Sequence, residues 1–155
     1  SANADCNLNI ERLISKTNKK DVSRLDRFLK RKAQFNTPSC LAKALIHTIR
    51  NNNVLITNYL VSKGTNLDYI DHSTHESPAS LAIKKKDSRL LRKLFENNAD
   101  PKLIIEGKTL LDIATEEKHF LSLQILEEYG VAPVLDCSLK NSIIPKCYHK
   151  RDNPI

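Results

Sequence analysis

The chain has 155 residues, of which 40% are hydrophobic and 28% charged, and a formal net charge of +7. That is one domain's worth of sequence with enough apolar material for a core, which excludes disorder throughout. Three glycines and no tryptophan argue against a turn-dense β-sandwich, and no apolar run approaches the roughly 18 residues a membrane span needs.

The first four residues, Ser1-Ala2-Asn3-Ala4, read as an expression scar, with no initiator Met and no secretory apolar region. The sequence is therefore expected to be an excised piece of a longer protein. From residue 5 onward, one local pattern recurs. A short helix with large apolar residues at steps of three and four closes at Lys32, Gly64, Asn98 and Gly130. These closures set a repeat of about 33 residues.

Taken in chain order, the pattern predicts four helix pairs. First helices are expected at 8–19, 42–51, 77–86 and 109–118. They carry small or medium apolar residues such as Leu45, Ile46, Ala79, Leu81, Ala82, Ile113 and Ala114. Second helices are expected at 21–31, 54–63, 88–97 and 120–129. Leu25, Phe28, Leu29, Ile56, Leu60, Leu91, Leu94, Leu123 and Leu126 fall on one face of each. Ser77 and Thr109 stand where an N-cap belongs, Pro78 suits the first turn, and Gly64, Asn98 and Gly130 suit the left-handed end.

The segments Ser77-Pro78-Ala79-Ser80-Leu81-Ala82 and Thr109-Leu110-Leu111-Asp112-Ile113-Ala114 resemble the ankyrin T-P-L-H-x-A motif. Asn97-Asn98-Ala99-Asp100-Pro101 and Lys63-Gly64-Thr65-Asn66-Leu67-Asp68 resemble the ankyrin N-G-A-D-x-N ending. The resemblance implies an all-α ankyrin-repeat solenoid of stacked helix-turn-helix units with short β-hairpin or loop fingers. Its units would be 5–36, 37–68, 69–101 and 102–133, the first lacking a Thr-Pro entry and a closing Gly. Residues 134–155 leave the repeat, yet Val134, Leu135, Leu139, Ile143 and Ile144 are apolar, so this tail is expected to fold back as a cap.

No nucleotide-binding, zincin or nucleophile-elbow motif occurs, so no enzyme is expected and no cofactor is assigned. The four cysteines, Cys6, Cys40, Cys137 and Cys147, include no C-x-x-C pair. They are expected to be reduced thiols in a cytoplasmic or nuclear protein. The spacing of Cys137, Cys147 and His149 fits no zinc finger. His47 falls at an apolar helix position and reads as a packed histidine bonded to a neighbouring loop.

The resemblance further implies that partners are gripped on a concave face made of hairpin fingers and first-helix ends. Laid on one another, the units bring Lys19, Arg50, Asn51, Lys84, Lys85, Glu116 and Glu117 to that face. The finger residues Tyr69, His72, Thr74, His75, Glu76 and Lys108 stand beside them. This stripe is mostly basic and turns acidic at the last unit, which suits another protein with an acidic binding segment, taken up by a monomer. Two other readings stand behind this one. A nucleic-acid-associated domain would use the same charge, but it lacks interleaved aromatics for stacking. An accessory domain of an enzyme would have lost its catalytic part.

Overall fold

Apolar side chains at helical spacing, set off by capping residues, organise the chain in the computed structural model, which describes residues 22–131 together with Arg12, Ile14 and Ser15. Within 22–131 there are seven α-helices. They are α1 (Ser23–Arg31), α2 (Pro38–Arg50), α3 (Val54–Ser62), α4 (Pro78–Lys84), α5 (Ser88–Glu96), α6 (Leu110–Glu116) and α7 (Phe120–Glu128). A 3-10 turn, Ala33–Phe35, follows α1. A two-stranded antiparallel ribbon precedes α6, pairing β1 (Ile104–Ile105) with β2 (Lys108–Thr109).

Caps decide where the helices start. Thr37, Ser77 and Thr109 accept hydrogen bonds from the backbone N–H groups of Cys40, Ser80 and Asp112. Ser80 and Asp112 return the bond to the cap's own N–H, so α4 and α6 each open on a reciprocal capping box. Asn53 and Asp87 cap α3 and α5 by accepting from Ile56 and Leu90.

Left-handed residues decide where the helices turn. Asn52, Lys86 and Lys118, at φ of 54°, 56° and 53°, make the corner between the two helices of a pair. The next N–H in each case bonds back into the preceding helix, to Thr48, Ala82 and Ala114 respectively. Gly64, Asn98 and Gly130 close the second helices at φ of 74°, 69° and 85°. Corners and closures keep the same period along the chain.

The helices pack in pairs, α2 on α3, α4 on α5 and α6 on α7. First helices α2, α4 and α6 lie side by side, and α5 lies along α7. Ala42, Ala44, Ala79, Ala82 and Ala114 are buried in the first helices, so their backbones approach closely. Leu60, Leu91, Leu94 and Leu126 fill the space beside the second helices, each stabilising the fold by about 1.5–3 kcal/mol on burial. Among the described residues the apolar core is one cluster.

Several expectations are corrected or fall elsewhere. α2 begins at Pro38, ahead of the expected start at 42, because Thr37 caps it and proline occupies the first turn. Lys32 is not left-handed (φ −118°, ψ 69°), and the chain instead leaves α1 through the 3-10 turn, where Phe35 stacks on Phe28 at 5.6 Å between centroids. The reduced-thiol expectation fails at Cys40, which is disulfide-bonded, and the other three cysteines lie outside the described residues. Of the first helix expected at 8–19, only Arg12, Ile14 and Ser15 are described; all are helical and Ile14 is buried. Residues 1–4 and the capping tail at 134–155 lie outside the described residues.

Candidate interaction face

The C-terminal ends of α2 and α4, the 69–77 loop and the ribbon bring polar side chains from successive helix pairs onto one surface. Its centre is Arg50, the last residue of α2. Its guanidinium donates to Glu76 Oε2 from Nη2 at 2.6 Å and from Nε at 3.1 Å, and to Thr74 Oγ1 at 2.7 Å. Lys84, the last residue of α4, approaches the other Glu76 oxygen at 3.9 Å. One carboxylate therefore sits between cations from two successive first helices.

The loop that carries Glu76 is held by its own Asp71. Asp71 Oδ1 accepts from the backbone N–H of Ser73 at 2.8 Å, the Ser73 hydroxyl at 2.6 Å and the Thr74 N–H at 3.3 Å. Backbone bonds from His75 to Asp71 and from Asp71 to Glu76 close the loop, with His75 left-handed at φ 55°. Burial pushes the Asp71 carboxyl up, but the Ser73 and Thr74 bonds outweigh it and hold the group below the usual carboxylate range. Half-buried Tyr69 is pushed up by burial and then by the Asp71 charge.

Further along the surface, His75 Nδ1 meets Glu106 of the ribbon tip at 3.1 Å. Lys108 Nζ donates to both oxygens of Glu116 at 2.8 and 3.1 Å, which raises the lysine. The Lys85 ammonium donates to the Arg50 carbonyl at 3.1 Å and to Asn52 Oδ1 at 2.9 Å, so it caps the end of α2 from the next helix pair. Asn51 donates to the His47 carbonyl at 2.9 Å and meets His47 Nε2 at 3.1 Å. Within the described residues His47 thus bonds to Asn51, one turn along the chain.

Of the sequence-predicted residues, the structure joins Arg50, Thr74, Glu76 and Lys84 into one network. It pairs Lys108 with Glu116 and assigns Lys85 and Asn51 to the end of α2. His72 is exposed and makes no hydrogen bond or ion pair among the described residues, and Glu117 stands half-buried at the end of α6. Lys19 lies outside the described residues. Sequence reasoning missed Glu106, whose one signal was a charge beside Gly107 at the ribbon tip, and Asn52, which the left-handed corner exposes.

The base–hydroxyl pairing outside this face is His119 Nδ1 with Ser122 Oγ at 2.6 Å. Ser122 is 0% exposed, so the hydroxyl is closed to any substrate, and the pair stabilises the first turn of α7. No helix among the described residues is long and apolar enough to cross a membrane, and no cluster among them has three or more His, Cys, Asp or Glu side chains placed to hold a metal. Compared with family models, with characterised protein sequences and with solved structures, the chain matches none.

Proposed function

We propose that the chain is a non-catalytic protein-interaction domain of ankyrin type, which takes its partner on the face built around Arg50, Glu76 and Lys84. The observation that carries this reading is the cross-pair network itself. Arg50, Thr74, Glu76 and Lys84 come from three separate elements; direct hydrogen bonds fix Arg50, Thr74 and Glu76 before any partner arrives, and Lys84 stands 3.9 Å from the same carboxylate. Preorganised polar groups lose little side-chain entropy on association, which favours recognition of a shaped polar surface.

The ankyrin assignment is supported by two features. Corners and closures recur with one shared period, and capping boxes open α4 and α6 at Ser77 and Thr109. The partner that fits is a protein segment with a carboxylate for Lys84, whose contact with Glu76 is long at 3.9 Å and leaves the ammonium accessible. Arg50 and Lys108 already hold carboxylates of this chain, so they shape the surface more than they add net positive charge to it.

The test begins with a partner captured by affinity purification, whose association is then followed by surface plasmon resonance. Lys84→Glu should slow association several-fold while the fold survives, and Arg27→Glu with Arg31→Glu on α1 should leave it unchanged. Loss of the partner through the α1 variant alone would move the interface off this face. A captured ligand that is nucleic acid, with a steep log–log salt dependence, would favour the nucleic-acid reading instead.

A further inference from the structure

α3 and α5 are the second helices of consecutive pairs, and they pack less closely on each other than α5 does on α7. Between them lies a groove of about 510 Å³, within the size range of binding clefts. Its floor is Ile49 and Leu90, both buried, and one wall is Val54, which is 64% exposed.

The two walls differ in charge. The nine residues of α3 include no charged side chain, and Leu55 beside Val54 is exposed as well. A solvated outer helix ordinarily carries charge on its water side, as α1 does. The facing wall belongs to α5 and presents Arg89 and Lys93, one turn apart, with Lys85 at the end of the groove. Arg89 and Lys93 make no ion pair among the described residues. The acid in the lining, Asp87, is engaged in capping α5 through Leu90 N–H at 3.0 Å. Arg92 pairs with Glu128 of α7, so α5 uses one side for the stack and turns unpaired cations to the groove.

We propose that this groove binds an acidic amphipathic segment of a partner protein. Apolar side chains of the segment lie between Val54 and Leu90, and its carboxylates meet Arg89 and Lys93. Charge complementarity favours an anion, the uncharged α3 wall requires apolar groups on the same ligand, and the lining has no aromatic ring on which bases could stack. The groove adjoins the Arg50 face, with Lys85 and Asn52 at their boundary, but Val54, Arg89 and Lys93 belong to the groove alone, and the proposal does not depend on the ankyrin reading.

The experiment pans a phage-displayed library of random peptides against the full chain. Enriched sequences are then titrated as labelled synthetic peptides by fluorescence anisotropy. Sequences combining Asp or Glu with Leu, Ile or Phe should be enriched. Their affinity should fall at least about tenfold for Arg89→Glu with Lys93→Glu and for Val54→Asp, and hold for Lys84→Glu and for Arg27→Glu with Arg31→Glu. Circular dichroism identifies any variant that fails to fold; should Val54→Asp do so, the charge-reversal pair carries the test. Enrichment without acidic residues, or peptides indifferent to Arg89 and Lys93, overturns the proposal. Sensitivity to Lys84→Glu alone assigns the peptides to the Arg50 face and likewise overturns it. So does a labelled oligothymidine that displaces the peptides from the groove, or a dimer in sedimentation velocity that Val54→Asp abolishes.

Discussion

Tyr59 donates its hydroxyl hydrogen bond to Asp26 Oδ1 at 2.7 Å, tying α3 to α1 across 33 residues of sequence. The same carboxylate takes Lys30 at 2.7 Å and Lys63 at 3.3 Å, and the Lys63 ammonium lies 5.2 Å from the centre of the Tyr59 ring. Lys30, then Tyr59 and Lys63, hold Asp26 well below the usual carboxylate range, while burial and then Asp26 push the Tyr59 phenol up.

Both directions make pH predictions. A depressed carboxyl contributes stability that is present above its unfolded value of about 3.9 and lost as pH falls below it. A raised phenol contributes stability that is present below about pH 10 and lost as pH rises beyond. Asp26→Asn should lower Tm at pH 7 and flatten its fall in acid. Tyr59→Phe should remove the corresponding alkaline loss. Thermal melts from pH 2 to pH 11 check both, and acid limbs that superimpose for wild type and Asp26→Asn would contradict the assignment.

Gly64 has no atom within 4 Å of the position a Cβ would occupy, so its replacement meets no clash and only the left-handed backbone resists it. Gly64→Ala should cost about 1–2 kcal/mol. Gly64→Asn should cost less, since asparagine tolerates this region and Asn98 occupies the equivalent turn. Urea denaturation measures the pair, and equal losses would point to a cause other than backbone conformation.

The helix pairs are legible in the sequence because their signals are local. Three-and-four spacing places Leu91 and Leu94 on one face, and Ser77, Thr109, Gly64 and Asn98 mark ends through their own backbone chemistry. The start of α2 escapes the period although Thr37-Pro38 is a strong entry signal. Thr37 precedes Ser77 by more than one repeat, because the 65–77 connection is long. The candidate face is legible only in part. Which residues share a surface follows from the period, but whether Arg50 is an unpaired cation depends on Glu76, 26 residues away, and no spacing rule states that. The groove between α3 and α5 depends on how far two helices diverge, which neither sequence segment encodes alone.

Leu94, fully buried in α5, tests the packing. Leu94→Ala should destabilise the protein by about 2–5 kcal/mol through lost transfer energy and the cavity left behind. A loss below about 1 kcal/mol in chemical denaturation would show that the second helices are not anchored as described.

His119 supplies a pH dependence near neutrality. Burial, and then the Lys86 charge, lower its basicity below the usual value of about 6.5. Its contribution is fully present above that value and is lost as pH falls through the lowered folded value, because the unfolded chain takes up the proton first. Stability should therefore decline between about pH 7 and pH 5, and His119→Gln should reduce the decline. A wild-type Tm that is flat or rising over this interval as acid is added, with no difference from His119→Gln, would count against the assignment.

The side-chain bonds that join one helix pair to the next stay short-ranged along the chain. They run from Arg50 to Thr74, with a separation of 24, up to Asp26 to Lys63, with a separation of 37. Among the described residues each fastens a pair to its neighbour and reaches no further, so load applied across residues 22–131 passes through the joints in series. Pulled in an optical trap, such a molecule yields at its weakest joint first and lengthens in steps of one pair each. Between the pairs α2–α3, α4–α5 and α6–α7, the second helices α3 and α5 share the least packing, so the first joint leans on the α2–α4 contact and on the bonds of Arg50 and Lys85.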